Sequence, residues 1–151
     1  MTRYLLGAAL LLCSALPALA GGQALSLAPV PYALDLPDAI TSRLSTGELA
    51  GPFAGEVKQA GAVASTLVFY QPEKGDKTIL MAVYYFPAGK FDAAKNPDEP
   101  PRFGDEVIRK DGMVLSVAGP HDTIYEPDTP DGKNVIEAAG MIYAPQSYRP
   151  Q

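Results

Sequence analysis

The residues best suited to acid–base chemistry in this chain of 151 residues lie in one short segment. His121, the only histidine, is followed directly by Asp122, and then by Tyr125 and Glu126. A histidine beside a carboxylate can transfer protons near neutral pH, so the segment is a candidate catalytic centre. No G-x-S-x-G nucleophile motif accompanies it. A small hydrolase using His121 with nearby carboxylates is our alternative hypothesis, and an ordinary loop turned by Pro120 is the simpler interpretation.

A run of four carboxylates with no basic residue between them offers a second kind of chemistry: Asp122, Glu126, Asp128 and Asp131. Oxygen ligands of this type suit Ca²⁺, but the spacing is not that of an EF-hand loop. Thr129 and Pro130 also match the start of a helix, where an acidic residue such as Asp131 is favourable. We therefore predict a helix cap and a solvated acidic surface, with calcium as a weak alternative and no cofactor.

A group of aromatic residues is the third candidate. Tyr84 and Phe86 share one face of a predicted strand, and Phe91 and Phe103 follow in the next segment of the chain. These side chains either line an apolar ligand pocket or simply pin that segment onto the sheet. Six residues are thus our candidates for ligand or partner binding: Tyr84, Phe86, Phe91, Phe103, His121 and Tyr125.

The segment 87–104 is predicted to be a long loop. It contains four prolines and charges of both signs, which are poor material for a strand or a long helix. One helical turn is predicted at residues 92–95. Loops of this length inside a compact domain are usually lids, binding loops or disordered segments. We expect both ends to be anchored by the aromatic side chains and the middle, about Lys95–Pro101, to be mobile.

The composition excludes several classes of site. The chain has one cysteine, Cys13, one histidine and no tryptophan. Zinc sites built from Cys and His, iron–sulfur clusters and disulfide frameworks all need more such residues. The net charge of −5 disfavours non-specific binding to nucleic acid. We therefore expect the partner to be a protein or a small apolar ligand.

The first twenty residues have the pattern of a secretory signal peptide. Arg3 precedes the apolar run Leu5–Leu16, which is too short to span a bilayer, and Ala18 and Ala20 precede a cleavage point. We predict that cleavage after Ala20 releases residues 21–151 to the bacterial periplasm or the medium. The mature chain would then lack both a transmembrane segment and a cysteine, which suits an oxidising compartment.

Apolar patterns predict the elements that position these side chains. Residues 66–70 and 78–86 form a predicted hairpin, and the second strand is apolar on both faces, so we place it at the centre of a sheet. Asp111-Gly112 predicts a second hairpin, whose second strand is residues 113–118.

Shorter elements flank these hairpins. Residues 32–36 alternate as a short strand, and Asp38 can open a short helix before the glycines and Pro52 that follow. A C-terminal helix begins at Thr129, and Tyr148 adds an edge strand. We therefore predict one α+β domain over residues 21–151.

The predicted architecture is an antiparallel sheet of about four to six strands with the C-terminal helix packed on one face. A β-sandwich is the alternative. No sequence motif identifies a family. The function that we expect is that of a non-catalytic binding module of the cell envelope, which uses the 87–104 loop and the adjacent sheet face.

Overall fold

The computed structural model describes residues 23–151, and the predicted signal peptide lies outside them. In this part of the chain, eight strands and four helices follow one another. They are β1 (Leu25–Ser26), β2 (Tyr32–Leu34), α1 (Asp38–Thr41), β3 (Leu44–Gly47), α2 (Pro52–Gln59), β4 (Ala64–Tyr70), β5 (Thr78–Pro87), α3 (Ala88–Ala93), β6 (Asp105–Lys110), β7 (Met113–Ala118), α4 (Pro130–Met141) and β8 (Tyr148–Pro150).

The main sheet is antiparallel and has five strands in the order β3-β4-β5-β7-β6. This confirms the predicted α+β fold and the central place of β5. The predicted hairpin at Asp111-Gly112 is also confirmed, because these residues adopt φ angles of 52° and 75° between β6 and β7. Such positive angles match the right-handed twist of the paired strands.

A second, smaller sheet joins the two ends of the described chain. β2 pairs with β1 on one side and with β8 on the other, so that Leu34 lies opposite Tyr148. The edge strand predicted at Tyr148 is therefore present, but it belongs to this three-stranded sheet. The sequence pattern does not predict this pairing, because the two segments are far apart in the chain.

The two faces of β5 enter two separate hydrophobic cores. Met81 and Val83 pack in the first core, which α1, the small sheet and α4 cover. Tyr84 and Phe86 point to the opposite face and pack in the second core, which α2 and α3 cover. Successive side chains of a strand point to opposite faces, so a strand that is apolar at every position needs cover on both sides.

The C-terminal helix begins as predicted. Thr129 is the N-cap, and its hydroxyl oxygen accepts a hydrogen bond from the Gly132 amide at 3.1 Å. Pro130 occupies the first turn, where its missing N–H costs nothing. The helix runs to Met141, and Val135 and Ala138 face the first core.

Two regions differ from the sequence-based expectation. β3 and α2 are additional elements, and α2 begins at Pro52, where we expected regular structure to stop. Gly51 precedes it with a φ of 77°, and proline is well tolerated in a first helical turn. In the 87–104 segment, the single helical turn predicted at residues 92–95 is instead the helix α3, which begins earlier, at Ala88, and which buries Phe91.

Candidate functional site

The aromatic side chains fill the sheet face on which we placed a binding site. Phe91 and Phe103 are only 3% and 6% exposed, and their ring centroids lie 5.8 and 5.4 Å from that of Phe86. Tyr84 packs edge-on to Phe103 at 5.9 Å and is buried, which raises the pKa of its hydroxyl. The two phenylalanines thus anchor the 87–104 segment, and the four candidate aromatics form its packed base.

Both ends of this segment are held by the neighbouring strands. At its start, the Ala88 amide donates to the Gly112 carbonyl at 2.8 Å. At its end, Gly104 has a φ of 71° and packs directly on β7, where a Cβ atom would lie 2.2 Å from the Val117 carbonyl oxygen. Only glycine fits this approach, so the segment returns to the sheet at one defined point.

An ion-pair cluster ties α3 to the edge strand β6. The Arg109 guanidinium donates to Asp92 at 2.7 Å and to Glu106 at 2.8 Å. These hydrogen bonds lower the pKa of both carboxyls below their usual range. The Lys95 ammonium lies 3.4 Å from Asp92 and 4.6 Å from the centroid of the Phe91 ring. The cluster is exposed, so it positions α3 more than it stabilises the fold.

A groove of about 600 Å³ lies between α2 and α3, on the outer side of the aromatic core. The less exposed residues of its lining, Ala60, Ala94 and Phe103, form its floor, and the exposed Ala93 lies beside them. Longer polar side chains form its rim: Glu56, Gln59, Lys90 and Arg102. The groove is therefore an open cleft with an apolar floor and a charged border, close to the 87–104 segment but not on the sheet face itself.

The two cations of the rim are held in place by different contacts. Arg102 forms an ion pair with Glu56, and its guanidinium carbon lies 6.0 Å from the centroid of the Phe103 ring. The aliphatic stem of Lys90 packs on Gly61, where a Cβ atom would lie 3.0 Å from the lysine Cγ. Among residues 23–151, no carboxylate lies within ion-pair distance of the Lys90 ammonium.

His121 stands apart from this groove. Its ring stacks on Tyr143, with ring centroids 5.2 Å apart and planes within 6°. The Tyr143 hydroxyl donates to the Gly119 carbonyl and accepts from the Gly119 amide, so it closes the turn after β7. Asp122 accepts from the Thr123 amide, and within the described part of the chain no carboxylate pairs with His121. The structure thus shows His121 in contact with Tyr143, and the hydrolase alternative stays a prediction.

The acidic run and Tyr125 have structural contacts. The Tyr125 hydroxyl lies 2.8 Å from the Thr78 hydroxyl. The Asp131 carboxylate accepts from the Tyr70 hydroxyl at 2.8 Å and from the Glu73 amide. No group of three potential metal ligands converges among residues 23–151. The weak calcium alternative therefore has no converging cluster of carboxylates in this part of the protein.

No family model, curated protein or solved structure matches the chain. Helices with the length and apolar character needed to cross a bilayer are absent from residues 23–151.

The groove is the feature that the sequence pattern missed. Its first wall, α2, begins at a proline that we interpreted as a stop signal. The signal that would have predicted this wall is the helical spacing of Phe53, Val57 and Ala60 after Pro52, with Glu56 and Gln59 on the polar side.

Proposed function

We propose that this chain is an exported bacterial binding module that holds a peptide segment of a protein partner in the groove between α2 and α3. The observation that carries the proposal is the groove itself, with its apolar floor, its charged rim and its volume of about 600 Å³. Peptide sites commonly combine an apolar floor, which provides affinity, with a polar rim, which provides specificity.

A peptide fits this groove better than the small apolar ligand that we also considered. The aromatic side chains that would line an apolar pocket are in contact with one another, and Tyr84, Phe86, Phe91 and Phe103 are all buried. The open surface next to them is bordered by Lys90, Arg102 and Glu56, which favour hydrogen-bonding partners. In this proposal the 87–104 segment still contributes to binding, because α3 provides one wall of the groove.

The test is selection of displayed random dodecapeptides on the purified exported protein. Selected peptides are then titrated against two variants that add the same large side chain at exposed alanines. Ala93→Trp fills part of the groove and should weaken binding at least about tenfold. Ala39→Trp lies on α1, which covers the opposite sheet face, and should leave binding unchanged. Selected peptides that bind both variants equally well, or no enrichment at all, would refute the proposal.

Export is the second part of the proposal. It rests on the charged start, the short apolar run and the small residues Ala18 and Ala20 before Gly21. We expect the intact mass of the protein recovered from the periplasm or the medium to correspond to a chain that begins at Gly21. A mass that includes residues 1–20 would contradict cleavage at this site.

A further inference from the structure

We infer that the peptide held in the α2–α3 groove is acidic, with a carboxylate that lies between Lys90 and Arg102 and an apolar side chain on the alanine floor. This inference deepens the proposed function and rests on it. Its basis is the charge, the positioning and the pairing of the rim side chains.

The groove has the opposite charge to the rest of the protein. Its lining residues include two cations, Lys90 and Arg102, and one anion, Glu56, whereas the whole chain has a net charge of −5. A locally positive site on an acidic protein attracts anionic segments to that site, and the remaining surface repels them from other positions. The charge pattern thus selects against a basic peptide.

The two cations differ in how far they are positioned before a ligand arrives. The Lys90 stem is packed on Gly61, whereas the Arg102 side chain is 61% exposed and is oriented by its ion pair with Glu56. Less side-chain entropy is therefore lost on binding at Lys90, because its stem already has a fixed place. A guanidinium also offers several N–H donors in a fixed plane, a geometry that suits a carboxylate.

Glu56 occupies the position that the ligand carboxylate would take on Arg102. The Arg102–Glu56 pair is exposed, and exposed pairs contribute little to stability. A peptide carboxylate can therefore replace Glu56 at small cost, and it gains a second partner in the Lys90 ammonium, which pairs with no carboxylate of residues 23–151. Glu56 is in this view an internal competitor of the ligand.

The experiment compares two displayed octapeptide libraries on the purified exported protein. One contains Asp, Glu and apolar residues, and the other has Asn and Gln in place of the acids. We expect enrichment from the acidic library only. For the selected acidic peptides, Lys90→Gln and Arg102→Gln should each lower affinity about fivefold, and Glu56→Gln should raise it about threefold. Lys133→Gln, on the opposite face of the molecule, is the matched control and should have no effect.

Three other results would overturn parts of the inference. Equal enrichment from both libraries, with binding still lost in Ala93→Trp, would refute the acidic class and leave the proposed groove in place. A loss of affinity in Glu56→Gln would show that Glu56 contacts the ligand rather than competes with it. Binding that is insensitive to Ala93→Trp would refute the groove and therefore the proposed function as well.

Discussion

Ser116 is a buried hydroxyl without a partner in the described part of the chain. It lies on β7 opposite Tyr84, is fully buried, and its Oγ atom forms no hydrogen bond there. A hydroxyl loses its hydrogen bonds to water when it is buried, and an unpaired one costs about 1–3 kcal/mol. We expect Ser116→Ala to raise the free energy of unfolding by about 1 kcal/mol in urea titrations.

Thr66→Val is the matched control for this prediction. Thr66 is also a buried strand residue, but its hydroxyl donates to the Gly47 carbonyl at 3.2 Å. Removal of a paired hydroxyl should lower the free energy of unfolding by about 1 kcal/mol. If Ser116→Ala raises the free energy of unfolding and Thr66→Val lowers it, the first hydroxyl is unpaired and the second is paired. A loss of stability in both variants would contradict this assignment.

Tyr70 joins α4 to the strands through its hydroxyl. The hydroxyl donates to Asp131 at 2.8 Å and accepts from the Asn134 side chain at 3.1 Å, and the residue is fully buried. Tyr70→Phe removes both hydrogen bonds, although Asp131 keeps the one from the Glu73 amide, and should lower the free energy of unfolding by about 1–2 kcal/mol. Tyr125→Phe removes a hydroxyl nearer to solvent and should cost less in the same assay. Equal losses of stability in the two variants would mean that the hydrogen bonds of Tyr70 contribute no more than that of Tyr125.

At the scale of the element, α3 and the segment after it depend on two buried rings. Because Phe91 and Phe103 are packed against Phe86, Phe91→Ala and Phe103→Ala should each lower the free energy of unfolding by about 3 kcal/mol. Hydrogen exchange should be slow at Phe91 and fast around residues 96–99, between the two anchors. Uniformly fast exchange from Pro87 to Gly104 would contradict the anchoring and would remove one wall of the groove.

The whole molecule depends on β5, since this strand lies between both cores. Val83 is 0% exposed, and an aspartate in its place would bury an unpaired carboxylate at a cost of several kcal/mol. Typical domains have only about 5–15 kcal/mol of stability, so Val83→Asp should unfold the protein in thermal melts. Ile79→Asp, on the same strand but 60% exposed, should melt close to the wild type. Cooperative, wild-type-like melting of Val83→Asp would contradict the central position of β5.

Local patterns were sufficient for the elements that depend on neighbouring residues. The turn at Asp111-Gly112, the cap at Thr129 and the continuous apolar run of β5 each require particular residues at adjacent positions, and the structure contains all three. They predict the hairpins, the C-terminal helix and the central strand. The anchoring of the segment after β5 could be expected for the same reason, since Phe91 and Phe103 lie near its two ends.

Only the tertiary structure decided where the groove lies and which side chain His121 contacts. The same Gly51-Pro52 pair ends a helix in one context and begins α2 in this one, and the difference depends on the burial of Val57 against the aromatic core. The groove exists because α2 and α3, which are separated by two strands in the chain, cover the same sheet face. The stacking of His121 on Tyr143 likewise depends on packing between separate segments. Such contacts are long-range, and the spacing of residues in one chain segment contains no information about them.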